Sequence, residues 1–120
     1  MKISEVVKLL DAEVVCGEEL IEEEVHCACG SDMMSDVLAF VKDRALLLTG
    51  LVNPQVIRTA EMMDIRCVVF VRGKQPNDMI IDLANEMGIV ILTTEERMYA
   101  ACGILYSSGL VPDGRKPNEQ

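Results

Sequence analysis

The segment Ala45–Leu92, ALLLTGLVNPQVIRTAEMMDIRCVVFVRGKQPNDMIIDLANEMGIVIL, decides the fold of this chain. It contains three short aliphatic runs, Ala45–Leu48, Cys67–Val71 and Ile89–Leu92, which begin about 22 residues apart. Short continuous apolar runs are typical of strands that are buried on both faces of a parallel sheet. A turn and then a helical pattern follow each run. Three such units in succession predict neighbouring parallel strands joined by right-handed crossovers.

Capping residues predict where the helices of this segment begin. Asn53 stands directly before a proline, and a proline in the first helical turn loses no intrahelical hydrogen bond. Asn77 opens the next helix and Gly88 ends it. The last helix is predicted to begin near Thr93, because Thr93 and Glu96 have the spacing of a capping box.

The first part of the chain adds further elements to the same sheet. Ser4–Leu10 predicts a short helix, and Glu13–Cys16 and Val25–Cys29 predict two strands. A second helical pattern follows Gly30. The predicted fold class is therefore α/β, a three-layer α/β/α sandwich with a mostly parallel sheet of about five strands.

The length of 120 residues fits one domain with one core. We predict that residues 1–110 form this domain. Residues 111–120 are mostly polar and include two prolines, so we expect them to be a disordered tail.

Charge and cysteine content restrict the classes of function. Twenty acidic residues against eleven basic ones give a net charge of −9, which disfavours binding to nucleic acid or to an anionic membrane surface. No apolar run approaches the ~20 residues that cross a bilayer. Five cysteines without a secretory leader favour the reducing cytoplasm, with Cys16, Cys67 and Cys102 as small core residues.

The carboxyl ends of the parallel strands predict a ligand site, because ligands of such sheets bind at that edge. The turns expected there carry glycines and helix-capping residues, and their only basic pair is Arg72 and Lys74. Free N–H groups and this pair suit a small anionic ligand. The same residues also serve as ordinary turns and caps, and this alternative stays open. The predicted ligand-binding residues are Gly30, Ser31, Asp32, Thr49, Gly50, Asn53, Arg72, Gly73, Lys74, Thr93 and Thr94.

The tetrapeptide His26-Cys27-Ala28-Cys29 is the segment most typical of metal chemistry, since thiolates and imidazole bind zinc and iron–sulfur clusters. On a strand, however, Cys27 and Cys29 face one side and His26 faces the other. The sequence offers no second pair of ligands at metal-binding spacing. We expect no metal and no cofactor, and we keep a metal or redox protein that uses His26, Cys27 and Cys29 as an alternative.

The sequence lacks the common catalytic motifs. It contains no dinucleotide-binding fingerprint, no P-loop and no nucleophile elbow, and its single histidine leaves a serine or cysteine nucleophile without an obvious base. We therefore predict a non-catalytic regulatory domain that binds a small anion such as a nucleotide. The alternative is an adaptor that forms a homodimer or binds a partner enzyme, as the pairs Met33-Met34 and Met62-Met63 suggest.

Four stretches of this sequence, Asp11–Val15, Gly30–Leu38, Leu47–Leu51 and Val69–Gly73, resemble the DRTGG domain family, and the similarity runs over residues 1–110. Of the letters that name the family, only Gly73 matches at the expected strand end. The family occurs beside CBS domains, inside some phosphotransacetylases and as stand-alone proteins.

This resemblance implies an α/β/α sandwich with a mostly parallel sheet. The family is similar in fold to the amino-terminal domain of HPr kinase/phosphorylase and to that of the Mur ligase that adds the peptide tail. The kinase activity of the HPr enzyme belongs to a separate P-loop domain, which this sequence lacks. The resemblance therefore implies a regulatory domain without a reaction of its own.

Overall fold

The computed structural model describes residues 1–40 and 44–112. In chain order its elements are α1 (Ile3–Leu10), β1 (Glu13–Cys16), a 3₁₀ helix (Glu18–Leu20), β2 (Cys27–Gly30), α2 (Met34–Phe40), β3 (Ala45–Thr49), α3 (Pro54–Met62), β4 (Cys67–Phe70), α4 (Asp78–Met87), β5 (Val90–Thr93) and α5 (Met98–Ser107). No helix in this described part of the chain is long and apolar enough to span a lipid bilayer.

The five strands form one sheet in the order β1-β5-β4-β3-β2. Strands β2 to β5 are parallel, and β1 pairs antiparallel with β5. In the register, Leu47 lies beside Val68, and Val68 lies beside Ile91. The three aliphatic runs are thus adjacent and point the same way, as the sequence predicts, so the turns that follow them meet at one edge.

Helices cover both faces of the sheet. Strand residues alternate between two apolar cores, because successive side chains of a strand point to opposite faces. The core beneath α2, α3 and α4 includes Leu47, Val68, Phe70, Ile57 and Ile80. The core beneath α1 and α5 includes Leu46, Val69, Leu92, Val6 and Leu105. The predicted three-layer sandwich is confirmed.

Two of the predicted helix caps form as expected. The side-chain oxygen of Asn53 accepts a hydrogen bond from the N–H of Val56 at 3.2 Å, and that of Asn77 accepts one from Ile80 at 3.0 Å. These bonds satisfy N–H groups that have no partner within the helix. Asn53, which we also predicted as a ligand contact, therefore has a structural role at the start of α3.

The predicted start of the last helix near Thr93 is wrong. Helix α5 begins at Met98, and Thr93 is the last residue of β5. The buried hydroxyl of Thr94 donates to the carbonyl oxygen of Leu10 at 2.7 Å and accepts from the N–H of Glu96 at 3.2 Å. This long-range bond holds the chain in a turn, which delays the helix by several residues.

The last described residues run beside the free edge of β2. The carbonyl oxygen of Val111 accepts a hydrogen bond from the N–H of Ala28 at 3.1 Å, and the Val111 side chain is buried. Val111, which we predicted as the first residue of a disordered tail, thus packs against the sheet. Residues 113–120 of the predicted tail lie outside the described residues.

Cys67 and Cys16 are buried, as predicted, whereas Cys102 is only half-buried. Burial raises the pKa of the Cys67 thiol far above its ordinary value of 9.0. The thiolate would lie among aliphatic side chains, where a charge is poorly solvated.

This shift predicts that Cys67 makes folding less favourable in alkaline solution. Between about pH 9 and pH 11 the thiol ionises in the unfolded chain but stays protonated in the folded chain. The free energy of unfolding should therefore fall by up to about 1.4 kcal/mol per pH unit from this thiol. Urea titrations of the wild type and of Cys67→Ala across this range measure the difference in slope, and equal slopes would contradict the prediction.

Candidate functional site

A cleft of about 450 Å³ opens at the carboxyl ends of β2, β3 and β4, beside the first turn of α5. This is the edge at which ligands of parallel sheets bind. The cleft is lined by Gly30, Ser31, Asp32, Gly50, Val71, Arg72, Arg97, Met98 and Tyr99.

Asp32 joins the loop after β2 to the loop after β3. Its Oδ1 accepts hydrogen bonds from the hydroxyl of Thr49 at 3.0 Å and from the N–H of Gly50 at 2.7 Å. The Thr49 side chain is fully buried and also accepts a bond from the N–H of Leu51 at 3.1 Å. Thr49 thus lies beneath the cleft as part of its support.

Arg72 also lies beside Gly50, and its backbone has a constrained conformation. Its φ of 61° is in the left-handed region, which costs a non-glycine residue roughly 1–2 kcal/mol. Its N–H donates to the carbonyl oxygen of Glu96 at 2.8 Å, and the N–H of Gly73 donates to that of Thr94 at 2.8 Å. These two bonds hold the loop after β4 against the loop after β5.

The guanidinium of Arg72 reaches over the backbone of Gly50. Its Nη2 lies 2.9 Å from the position that a Cβ atom would occupy on Gly50, and both carboxylate oxygens of Asp32 lie 3.5 Å from that position. The Arg72 guanidinium and the Asp32 carboxylate therefore both lie beside the backbone of Gly50. Because Gly50 has no side chain, nothing at this residue blocks these two groups from a ligand in the cleft.

The start of α5 closes the remaining side of the cleft. Arg97 is the N-cap residue, and its side chain makes no capping hydrogen bond. The free N–H groups of a first helical turn, together with the helix dipole, favour an anion. Tyr99 projects beside this turn and is 92% exposed.

Carboxylates lie close to the basic side chains at this edge, since the Asp32 oxygens approach the Cβ position of Gly50 together with Arg72, and the Glu95 oxygens approach that of Gly73. Within residues 1–40 and 44–112, Arg72, Lys74 and Arg97 form no ion pair, which is also true of Lys8 and Arg58, whereas Lys2, Arg44 and Arg66 each pair with a carboxylate. Two arginines, Arg72 and Arg97, thus line the cleft without an ion pair in the described part of a chain whose net charge is −9. Such a site attracts anions.

The profile of the DRTGG domain matches residues 5–108, which is most of the chain. The chain belongs to the DRTGG domain family. This confirms the resemblance that the sequence motifs predict. A search of curated proteins gave no match.

A solved structure supports the fold of this DRTGG domain. It contains the CBS and DRTGG domains of the regulatory region of Clostridium perfringens pyrophosphatase, complexed with the activator diadenosine tetraphosphate. The TM-score is 0.70 at 18% sequence identity, with 98% of this chain and 51% of that chain covered. The chain thus spans about half the length of this structural relative, and the likeness shows a shared fold.

The cleft of this DRTGG domain brings together five of the eleven predicted ligand residues: Gly30, Ser31, Asp32, Gly50 and Arg72. The other six do not line it. Thr49, Thr93 and Thr94 are buried, Asn53 caps α3, and Gly73 and Lys74 lie in the turn beyond Arg72. Thr49, Asn53 and Thr94 instead form hydrogen bonds that hold the loops and the helix start around the cleft.

Three residues that line the cleft, Arg97, Met98 and Tyr99, are not among those predicted from the sequence. The start of α5 was predicted near Thr93, so these residues were expected inside the helix and away from the edge. The apolar stripe of α5 begins at Met98, directly after Arg97, and this was the local signal for the true helix start.

Cys27 and Cys29 both pack into the core beneath α2, α3 and α4, so they share one face of β2 as predicted. Burial raises the pKa of the Cys29 thiol, which disfavours the thiolate that would bind a metal. His26 is exposed at the position before the strand. In the described residues, no three His, Cys, Asp or Glu side chains are grouped so that they could hold a metal ion.

Proposed function

We propose that this DRTGG domain is a regulatory module that binds a small anionic ligand in the cleft at the strand ends and catalyses no reaction itself. The observation that carries the proposal is that Arg72 and Arg97 line one cleft without an ion pair among the described residues. Acidic residues outnumber basic ones twenty to eleven, yet these two arginines meet at the edge where parallel sheets bind their ligands, which suits an external anion.

The cleft suits a phosphorylated ligand that also carries a ring. Its volume of about 450 Å³ falls in the range of small-molecule sites. Arg72, Arg97 and the first turn of α5 would bind phosphate oxygens, and the exposed ring of Tyr99 could stack on a base. Asp32 Oδ2, which accepts no hydrogen bond within the described residues, would accept one from a ribose hydroxyl. A nucleotide provides all of these groups.

The pyrophosphatase relative supports a role in controlling an enzyme. Its DRTGG domain is part of a regulatory region, and that region was solved with a nucleotide activator. By analogy, this domain would report a nucleotide to a partner enzyme in the cytoplasm, as a homodimer. An adaptor role is the second candidate, because Met33 and Met62 are exposed at 61% and 67% and offer adaptable contact surfaces.

The ligand proposal predicts that Arg72→Ala abolishes most anion binding. Pyrophosphate, ATP and diadenosine tetraphosphate would be titrated against the full chain, with thermal stability and calorimetry as readouts. A ligand present at about 100 times its Kd should stabilise the wild type by about 2.7 kcal/mol. Arg72→Ala should weaken binding by at least about tenfold, since a charge-assisted hydrogen bond is lost.

Arg58→Ala is the matched control. Arg58 is exposed on α3, outside the cleft, and its replacement changes the net charge by the same amount. Binding should be nearly unchanged in this variant. The proposal is wrong if none of the three anions stabilises the wild type, or if Arg58→Ala weakens binding as much as Arg72→Ala does.

A further inference from the structure

Helix α5 carries no charged residue. Residues 98–112, which include the whole helix, contain neither acidic nor basic side chains, although 26% of the chain is charged. Each of the other four α-helices in the described part of the chain contains at least one charged residue. A helix that is apolar all round is normally covered on all sides.

The outer face of α5 is nevertheless exposed among the residues that the structure describes. Tyr99 is 92% exposed and Tyr106 is 48% exposed, and these are the only two tyrosines of the sequence. Between them lies Gly103, and apart from its own helix no described atom lies within 4 Å of the position that a Cβ would occupy there. The three residues border a groove of about 790 Å³. Exposed tyrosines around an apolar groove are typical of protein interfaces.

The helix layer to which α5 belongs is also incomplete. Among residues 1–40 and 44–112, this layer contains two helices, α1 and α5, whereas the opposite layer contains three. Beside α5 and above β2, a second groove of about 160 Å³ is bordered by Ala28, Leu48, Leu105, Tyr106 and Leu110. Because Tyr106 borders both grooves, the two grooves adjoin on this layer and together make the surface beside α5.

We propose that a second copy of this chain covers this surface, with the two α5 helices packed against each other across a two-fold axis at Gly103. Two chains of net charge −9 repel each other at most of their faces, so an uncharged face is where they can meet. The remaining segment of this chain, residues 113–120, is a poor alternative, because its sequence DGRKPNEQ contains four charged residues and no aliphatic side chain. This inference rests on the proposed function, because it names the surface through which the proposed homodimer would form.

The position of Gly103 suits such a pair. A glycine at a helix crossing allows two backbones to approach closely. Tyr99 and Tyr106 lie on either side of it, so an antiparallel crossing would bring Tyr99 of one copy near Tyr106 of the other. A stable interface buries roughly 800 Å² per partner, and the groove beside Tyr106 extends the contact beyond the helix. Tyr99 also lines the ligand cleft, so a bound ligand would lie next to the interface.

Sedimentation velocity of the full chain tests this interface. The wild type should have the mass of a dimer at about 10 μM. Gly103→Glu places two like charges at the crossing and should raise the dissociation constant at least about 100-fold. Glutamate forms helices better than glycine and the site is open, so the variant should fold, which circular dichroism verifies. Tyr106→Glu should act in the same way.

Met62→Glu is the matched control, since it adds the same charge at a 67% exposed position on α3 and should leave the dimer intact. A wild type that is monomeric at about 100 μM overturns the inference. A dimer that persists in both Gly103→Glu and Tyr106→Glu also overturns it. So does a dimer that dissociates as readily in Met62→Glu as in these two variants. Anion titration of the wild type separates the two proposals. A dimer that binds none of the anions would refute the ligand site and leave the interface standing, and a monomer that binds them would refute the interface and the homodimer and leave the ligand site standing.

Discussion

Gly17→Ala should lower the free energy of unfolding by about 2–4 kcal/mol, from a strained backbone and a steric clash together. The φ of Gly17 is 83°, a conformation that an alanine adopts only at a cost. A Cβ at this position would lie 2.9 Å from Cα and 2.9 Å from Cγ2 of Val90. Val90 belongs to a buried strand of the sheet, so its backbone cannot move aside cheaply.

Gly88→Ala provides the control for backbone strain alone. Gly88 has a similar φ of 70°, but nothing lies within 4 Å of its Cβ position. This variant should lose only about 1 kcal/mol. Urea unfolding of both variants measures the difference. If Gly17→Ala were no less stable than Gly88→Ala, the close approach of Gly17 to β5 would be refuted.

Asp32→Ala should also destabilise the chain by about 2–4 kcal/mol, because it leaves two donors without their acceptor. The Thr49 hydroxyl and the Gly50 N–H both bond to Asp32 Oδ1, and both residues are buried. Hydrogen bonds to a charged acceptor are stronger than neutral ones. Since Asp32 holds two loops of the cleft together, anion binding should weaken along with stability.

Two variants distinguish this role from a general effect of charge. Asp32→Asn keeps an acceptor oxygen and should lose less than half as much stability as Asp32→Ala. Asp36→Ala removes the same charge from an exposed position on α2 and should change stability by less than about 0.5 kcal/mol. Chemical denaturation of the three proteins at one pH tests the prediction, and equal losses in Asp32→Ala and Asp36→Ala would contradict it.

The sequence predicted the sheet and most helices because their signals are local. Buried strands need continuous aliphatic residues, and β3, β4 and β5 supply them at regular spacing. The caps at Asn53 and Asn77 depend on residues only three positions away. The start of α5 was misplaced because Thr94 bonds to Leu10, 84 residues earlier, and no local pattern shows that bond.

What the sequence determined by itself was a parallel sheet and the edge at which a ligand would bind, since hydrophobic periodicity and crossover handedness follow from local chemistry. The tertiary structure alone decided which residues meet there. It joined Asp32 to Thr49, set Arg72 over Gly50, and brought the start of α5 to the cleft at Arg97. These arrangements depend on contacts between residues far apart in the chain, whose geometry exists only after the layers have packed.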